Sequence, residues 1–261
     1  MQPFISCPPE RLRRVRGVLT DIDDTLTAGG AIAPAALSAL HALHAAGLPV
    51  IAVTGRPAGW SEPFARDWPV RAIVAENGAV MLRLVAGVVE RSFTQDAATR
   101  AANFERLQQC ARAVLAEMPG IRLATDSPGR LTDIAVDHSE FAQLNPAQIE
   151  QVVALMQGHG LHATVSSIHV NGWIGEHNKW SGAAWAVQAV LAEPLVADDW
   201  LYVGDSTNDQ LMFEHIPLSV GVANIERFVP QLKVLPAYVT LAERGEGFAG
   251  VMRALLGARR A

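Results

Sequence analysis

The chain has 261 residues, half of them hydrophobic, and a formal net charge of −5, which is enough for one large α/β domain or for a core with an inserted module. The lack of a basic block argues against a nucleic-acid surface, and no stretch approaches the ~18 consecutive apolar residues of a membrane span. Its two cysteines have no metal or disulfide spacing, which favours a reducing compartment. We therefore expect a cytoplasmic protein that binds neither nucleic acid nor membrane. We expect it to be a monomer or homodimer.

The first eighty residues alternate apolar strands with helices. The strands are predicted at residues 15–19, 48–53 and 70–75. Between them Pro34 begins a helix that Gly47 ends, because proline suits the first helical position and glycine the position after the last. A second helix, over residues 57–68, is predicted to be broken by Pro63. Such alternation is typical of a parallel, doubly wound sheet.

The pattern changes after the turn at residues 76–79. Shorter elements follow in the order β-α-β-β-α-β, the outline of a small module with helices packed on one sheet. They are predicted at residues 85–93, 97–118, 121–125, 131–136, 146–157 and 162–170. We therefore expect an inserted α/β cap domain at residues 84–174 and a core domain formed by residues 1–83 and 175–261.

The alternation of helices and apolar strands resumes in the last third of the chain. A helix begins at Lys179 or Trp180 and ends near Ala192. Strands are then predicted at residues 200–203, 218–222 and 238–240, followed by a helix at 247–256. The predicted fold class is α/β: a doubly wound parallel, Rossmann-like sheet core with an inserted α+β cap domain.

Polar side chains follow three of the predicted parallel strands. Asp21 and Asp23 come directly after the first strand, and the Thr-Gly-Arg of residues 54–56 comes after the second. Asp205 and Asp209 follow the first strand after the inserted module. Because the carboxyl ends of parallel strands form the ligand crevice of an open sheet, we expect these groups to face one another. Four acids there need compensating charge, and their oxygens suit a hard cation such as Mg²⁺.

Each of these groups also has a purely structural explanation. The acids of residues 21–24 could form a solvated turn, Thr54 could cap a helix, and Arg56 could be an ion-pair partner. Against these explanations, Lys179 is one of only two lysines in the chain and lies where the inserted module rejoins the core. An ammonium group at this junction would compensate part of the acidic charge.

The four motifs, in this order, resemble those of the haloacid dehalogenase-like (HAD) hydrolases. They are D-x-D-x-T-L at residues 21–26, T-G-R at 54–56, the lone Lys179, and G-D-x-x-N-D at 204–209. The module between the second and third motifs is similar to the large cap of the Cof-type branch. Within that branch, residues 168–173 and 245–248 look most like mannosyl-3-phosphoglycerate and sucrose-phosphate phosphatases.

The resemblance implies a Mg²⁺-dependent phosphatase that hydrolyses a small phosphorylated metabolite, with a sugar phosphate such as mannosyl-3-phosphoglycerate as the favoured substrate. Asp21 would be the nucleophile that forms an aspartyl-phosphate, Asp23 the acid and base, and Lys179 the group that neutralises phosphoryl charge. The implied metal ligands are Asp21, Asp23, Asp205 and Asp209. The implied phosphate contacts are Thr54, Gly55, Arg56, Lys179 and Asn208. A phosphomutase-like phosphotransferase with the same intermediate, or a non-catalytic binding module, is the alternative.

Three residues of the inserted module are candidates for substrate contact: Arg130, His169 and Asn171. His169 and Asn171 alternate onto one face of the last predicted strand of the module. Arg130 follows a Pro-Gly turn, from which its side chain could reach an acidic group of the substrate. For His169, a hydrogen-bonded histidine within the sheet is the competing explanation.

Overall fold

A computed structural model describes residues 1–260, whose elements we number in chain order. The strands are β1 Gln2–Pro3, β2 Gly17–Thr20, β3 Thr27–Ala28, β4 Ala31–Ile32, β5 Val50–Val53, β6 Ala72–Ala75, β7 Val80–Val85, β8 Val88–Phe93, β9 Asp133–Asp137, β10 His162–Val165, β11 His169–Trp173, β12 Trp200–Gly204, β13 Leu218–Gly221 and β14 Tyr238–Val239. The helices are α1 Pro9–Arg13, α2 Pro34–Ala45, α3 Ala58–Asp67, α4 Ala97–Glu117, α5 Pro146–Gly158, α6 Lys179–Leu191, α7 Gln210–His215 and α8 Arg244–Ala258. Among residues 1–260, no helix combines the length and the hydropathy that a membrane crossing requires.

Nine strands form one sheet in the order β1-β14-β13-β12-β2-β5-β6-β7-β8. All neighbours from β1 to β6 are parallel, and β7 and β8 add an antiparallel hairpin at one edge. Helices cover both faces, with Leu40 of α2 and Phe248 of α8 in one apolar cluster and Ala183 of α6 and Met212 of α7 in the other. Burial on both faces explains why the parallel strands are continuous apolar runs. The predicted α/β class is confirmed.

The predicted strand at residues 85–93 does not belong to the inserted module. Its residues lie in the hairpin of β7 and β8, which extends the main sheet at its edge. The module predicted at residues 84–174 therefore begins too early, because the chain leaves the main sheet only after Phe93. Ala86 and Gly87, both with positive φ, form a two-residue turn inside what reads as one apolar run.

The segment that leaves the main sheet, residues 94–174, we call the cap. It carries a three-stranded antiparallel sheet in the order β10-β11-β9, whose core includes Leu107 of α4 and Val152 of α5. Two predicted strands are wrong here. Residues 121–125 contribute a single β-bridge, and residues 162–170 are split between two strands because the chain turns back at residues 166–168.

Helix α3 passes through Pro63 without the predicted break. A proline inside a helix removes one backbone hydrogen bond. Stacking along the same helix offsets part of that loss, because the ring of Phe64 lies 4.5 Å from that of Trp60 and 4.6 Å from that of Trp68.

Helix α6 packs directly against the turn at Glu76–Gly78. A Cβ atom on Gly182 would lie 2.5 Å from the Cα atom of Gly78, so the backbone would have to shift. We expect Gly182→Ala to lower the free energy of unfolding by about 1–3 kcal/mol in urea titrations. Gly257→Ala is the matched control in α8: no heavy atom of residues 1–260 lies within 4 Å of its Cβ position, so it should be neutral or stabilise by up to about 1 kcal/mol. Equal effects of the two substitutions would contradict this packing.

Candidate active site

The centre of the site is a buried ammonium group between two carboxylates. Lys179 is the first residue of α6, which Asn178 caps, and its Nζ atom lies 2.6 Å from Asp21 Oδ1 and 2.6 Å from Asp209 Oδ1. Lys179 is 2% exposed. Because β2 and β12 are parallel neighbours, Asp21 and Asp209 both lie just beyond the carboxyl ends of these strands. The structure thus brings these three predicted residues together.

Asp209 accepts hydrogen bonds from four donors. Its Oδ1 atom accepts from Lys179 and from the Tyr202 hydroxyl at 2.5 Å. Its Oδ2 atom accepts from the backbone N–H groups of Asp205 and Ser206 at 2.8 and 3.1 Å. A carboxylate offers about four acceptor positions, so Asp209 would have to give up one of these bonds to ligate a metal directly. In this arrangement it orients Lys179 and closes the loop after β12.

Asp205 presents an unused oxygen to the same space. Within residues 1–260 its Oδ1 atom is buried without a hydrogen-bond partner, while Oδ2 accepts from Asn224 at 3.0 Å. Oxygens of Asp21, Asp205 and Asp209 lie within 4.8 Å of one another. Burial raises the pKa of Asp21 to about 8, although Lys179 opposes the rise, and burial together with neighbouring carboxylates raises the pKa of Asp205 well above its ordinary value. A further cation nearby would favour the ionised form of both carboxylates, and their oxygens fit Mg²⁺.

The segment after β5 forms the second wall of the site. The Thr54 hydroxyl accepts from the Arg56 N–H at 3.0 Å, and the Asn77 N–H donates to the Thr54 carbonyl at 3.0 Å. Thr54 therefore stabilises the loop that follows β5. It does not cap helix α3, whose N-cap residue is Pro57. The hydroxyl proton of Thr54 is still available to an oxygen that enters the site.

Arg56 is an ion-pair partner, one of the two explanations that its sequence position allows. Its guanidinium lies 3.0 Å from Asp23, 3.0 Å from Asp126 and 2.6 Å from Glu140. Arg56 is 4% exposed and lies 4.6 Å over the ring of Trp60. Because Asp126 and Glu140 belong to the cap, Arg56 ties the cap to the core. Its guanidinium contacts carboxylates here, whereas the sequence predicted a contact with phosphate.

The predicted cap residues lie directly over the loop after β5. Arg130 and Asn171 each donate to the Gly55 carbonyl at 3.0 Å. His169 Nε2 lies 2.9 Å from Glu140 Oε2. A Cβ atom on Gly55 would lie 3.2 Å from Asn77 Oδ1 and 3.3 Å from the Asn171 amide nitrogen, so a larger residue here would require both side chains to shift slightly. Arg130 and Asn171 thus hold the cap on the core, whereas His169 contacts a residue of the cap itself, and contact of all three with substrate stays a prediction.

Glu76 is a further link between core and cap. Its carboxylate accepts from the Ala58 N–H at 2.9 Å in the core. From the cap it accepts the Leu131 N–H at 3.0 Å, the Thr132 N–H at 2.5 Å and the Thr132 hydroxyl at 2.6 Å. Glu76 and Asn77 both have positive φ, a conformation that non-glycine residues keep only where their surroundings require it.

These contacts close the cap over the acids. The space above Asp21 and Asp23 measures about 10 Å³, roughly the room of one water molecule. Asn208 borders it, and its Oδ1 atom accepts from the Ser206 hydroxyl at 3.0 Å. Because a phosphoryl group does not fit into this space, the cap must move away from the core before a phosphate ester can bind.

Sequence reasoning missed several residues of the site. Asn224 follows the carboxyl end of β13. The expectation that polar residues after parallel strands lie close together could therefore have identified it. Tyr202 lies within β12 and reads as a core residue, which hides its bond to the acid loop. Asp126 and Glu140 lie in cap loops, and no local pattern connects them with Arg56.

The contact of Glu140 with Arg56 should make stability depend on acid pH. Burial would raise the pKa of Glu140, but hydrogen bonds from His169 and Arg56 lower it to about 2 from an ordinary value of 4.5. A lowered pKa stabilises the fold above the ordinary value, and this contribution is lost as the pH falls toward about 2. Glu140→Gln should therefore reduce the urea midpoint more at pH ~7 than at pH ~3. Exposed Glu150→Gln is the control, and equal shifts of the Glu140→Gln midpoint at both pH values would contradict the pairing.

Comparisons with known proteins agree with this architecture. Residues 18–118 match the family model of haloacid dehalogenase-like hydrolases. A phosphoglycolate phosphatase from Methanothermobacter thermautotrophicus is 26% identical over 254 residues, which cover 93% of this chain and 100% of that protein.

Solved structures share the fold over almost the whole chain. A Thermoplasma acidophilum protein superposes with a TM-score of 0.71 at 17% identity, over 93% of this chain and 98% of that one. The sucrose-phosphatase of Synechocystis sp. PCC6803 gives a TM-score of 0.66 at 16% identity, over 92% and 98% of the two chains. Together with the ordered motifs and the acidic site at the strand ends, these matches show that the chain is similar to haloacid dehalogenase-like hydrolases in sequence and in fold.

Proposed function

We propose that the protein is a Mg²⁺-dependent phosphatase that hydrolyses a small phosphorylated metabolite through an aspartyl-phosphate on Asp21. The observation that carries this proposal is the 2.6 Å contact of Lys179 with Asp21, beside the Asp205 Oδ1 atom, which has no hydrogen-bond partner among residues 1–260. It supplies a buried nucleophile, a fixed positive charge and a vacant oxygen ligand in one place. The activity in the name of the Methanothermobacter relative agrees with it.

In the first step, the Asp21 carboxylate attacks phosphorus and the bond from phosphorus to the ester oxygen breaks. Asp23 donates a proton to that oxygen, so the leaving group departs as an alcohol. Burial alone would lower the pKa of Lys179, but Asp209 and Asp21 raise it, and the ammonium group stays charged. Its charge offsets the negative charge of the phosphoryl oxygens.

In the second step, water attacks the phosphorus of the aspartyl-phosphate, the bond to the Asp21 oxygen breaks, and free phosphate leaves. Asp23, now ionised, takes the proton of that water. Burial raises the pKa of Asp23, and the Arg56 guanidinium, 3.0 Å away in the closed cap, opposes this rise. The closed cap also limits the access of further water to the reactive acyl phosphate.

Asp21 and Asp205 are the side chains that would hold Mg²⁺, with the main-chain carbonyl of Asp23 as a further predicted ligand. A bound Mg²⁺ would supply positive charge to the phosphoryl oxygens. We leave Asp209 outside this set because its oxygens already accept four hydrogen bonds, and we assign it the orientation of Lys179.

Two substrate classes follow from the resemblances. The sequence motifs favour sugar phosphates such as mannosyl-3-phosphoglycerate, whereas the name of the Methanothermobacter relative points to phosphoglycolate. Both are phosphate monoesters of small alcohols, and the chemistry at Asp21 does not separate them. A panel of mannosyl-3-phosphoglycerate, sucrose phosphate, hexose phosphates and phosphoglycolate, scored for free phosphate with Mg²⁺ present, distinguishes the two classes.

Removal of divalent cations should silence the enzyme. We expect EDTA to abolish phosphate release from p-nitrophenyl phosphate and added Mg²⁺ to restore it, because the acids at the strand ends lack sufficient positive charge of their own. Mock-treated protein is the control for loss of fold. Activity that survives thorough chelation would refute the metal assignment, and failure to hydrolyse any ester with Mg²⁺ present would refute the phosphatase function.

A further inference from the structure

A second cavity, of about 350 Å³, opens next to Asp23. The core loop of residues 24–30 forms one wall and cap residues 139–141 form another. Asp23 borders both this cavity and the much smaller space above Asp21. Asp23, the proposed proton donor to the leaving oxygen, therefore borders a space large enough for a group attached to that oxygen.

Two arginines of the core line the cavity and share one carboxylate. Arg244 Nε donates to Asp24 Oδ1 at 2.8 Å, and Arg227 Nη2 donates to Asp24 Oδ2 at 2.8 Å. A guanidinium carries five N–H donors, and within residues 1–260 a single nitrogen of each of these two guanidinium groups makes hydrogen bonds. The side chain of Arg227 is 44% exposed and that of Arg244 is 39% exposed, so the remaining donors are accessible from the cavity.

The other acids near this pair of arginines have partners of their own. Asp23 and Glu140 also line the cavity, but both contact Arg56, at 3.0 and 2.6 Å. Asp205 Oδ2 lies 3.4 Å from Arg227 but belongs to the proposed metal site. Asp24 is therefore the one carboxylate that both arginines share, and each guanidinium keeps N–H donors that this carboxylate does not use.

The backbone holds Arg244 and its partner Asp24 in position before any ligand binds. Asp24 and Arg244 have φ values of 55° and 49°, which are uncommon for residues other than glycine. Asn224 fixes both residues: its Nδ2 atom donates to the Asp24 carbonyl at 3.0 Å, and its Oδ1 atom accepts from the Arg244 N–H at 2.9 Å. Backbone of this kind persists where the surroundings over-determine it, and it is concentrated at ligand sites.

We propose that the leaving group of the substrate carries a carboxylate that binds to Arg244 and Arg227. The inference rests on the proposed phosphatase function and narrows its substrates to phosphorylated hydroxy acids. The guanidinium groups keep unused N–H donors toward the cavity, and their planar shape suits a carboxylate, which accepts two parallel hydrogen bonds. Of the substrates considered above, phosphoglycolate and mannosyl-3-phosphoglycerate carry such a group, whereas sucrose phosphate does not.

Two esters that differ only at this group test the proposal: phosphoglycolate, and 2-hydroxyethyl phosphate, in which a hydroxymethyl group replaces the carboxylate. With Mg²⁺ present, kcat/KM should favour phosphoglycolate by about tenfold or more, as expected for charge-assisted hydrogen bonds. Arg244→Gln should reduce this preference about tenfold, mainly through a higher KM for phosphoglycolate, and Arg244→Lys should retain part of it. Arg244 is the cleaner probe because Arg227 also contacts Asp205.

Arg253→Gln is the matched control, because Arg253 is an exposed arginine of the same helix and does not line this cavity. It should leave both activities and their ratio unchanged, and circular dichroism checks that each variant is folded. Hydrolysis of both esters without a preference, or a preference that Arg244→Gln leaves intact, overturns the inference but leaves the phosphatase function standing. Release of phosphate from neither ester overturns the inference, and the phosphatase function falls with it only if p-nitrophenyl phosphate is not hydrolysed either. A stronger, Arg244-dependent preference for fructose 1,6-bisphosphate would overturn the carboxylate in favour of a second phosphoryl group.

Discussion

Asp21→Asn is expected to reduce phosphate release by at least about a thousandfold while the protein remains folded. The amide keeps the shape of the side chain but cannot form the aspartyl-phosphate. Lys179 keeps its 2.6 Å contact with Asp209, so the substitution does not leave the ammonium group unpaired. Steady-state release of phosphate from p-nitrophenyl phosphate, with circular dichroism of the same samples, measures both expectations.

The control for this substitution is Asp198→Asn, which changes an exposed acid elsewhere in the chain. It should leave turnover and fold unchanged. Turnover of Asp21→Asn within about tenfold of the parent would rule out Asp21 as the nucleophile, because loss of a nucleophile costs far more.

Lys179→Met is expected to lower the free energy of unfolding by about 3–5 kcal/mol and to abolish activity. The ammonium group is 2% exposed and contacts Asp21 and Asp209, so its removal leaves two buried carboxylates without their shared partner. For a chain of this size, a loss of 1 kcal/mol corresponds to about 2–4 °C in Tm. Urea unfolding in the absence of Mg²⁺ gives the free energy directly.

Lys233, the other lysine of the chain, provides the matched control because it is exposed. Lys233→Met should change the free energy of unfolding by less than about 0.5 kcal/mol. Adding Asp21→Asn to Lys179→Met should recover part of the lost stability, because one buried charge disappears. A loss below about 1 kcal/mol for Lys179→Met would mean that the ammonium group does not hold the site together.

The grouping of polar residues at the carboxyl ends of the parallel strands could be predicted because its signals are local. Strands β2, β5 and β12 are apolar runs that end in polar motifs, and a parallel sheet brings such ends together. The contact of Lys179 with Asp21 then follows from the position of α6 at the return to the core. The number of donors around Asp209 could not be predicted, because Tyr202 and two backbone N–H groups contribute to it.

The link between cap and core could not be predicted in the same way. Arg56 contacts Asp126 and Glu140, which lie 70 and 84 residues further along the chain, and no periodicity connects such positions. The edge hairpin of β7 and β8 was misplaced for a different reason. Its turn consists of Ala86 and Gly87, and the alanine conceals the turn that positive φ at both positions makes possible.

Trapping of the covalent intermediate tests the central claim most directly. The protein is mixed with Mg²⁺ and substrate, quenched in acid, digested and mapped by mass spectrometry. We predict phosphate on Asp21 in the parent protein and no phosphorylated peptide in Asp21→Asn. Phosphate on a different residue, or full turnover by the variant that lacks the Asp21 carboxylate, would contradict the account.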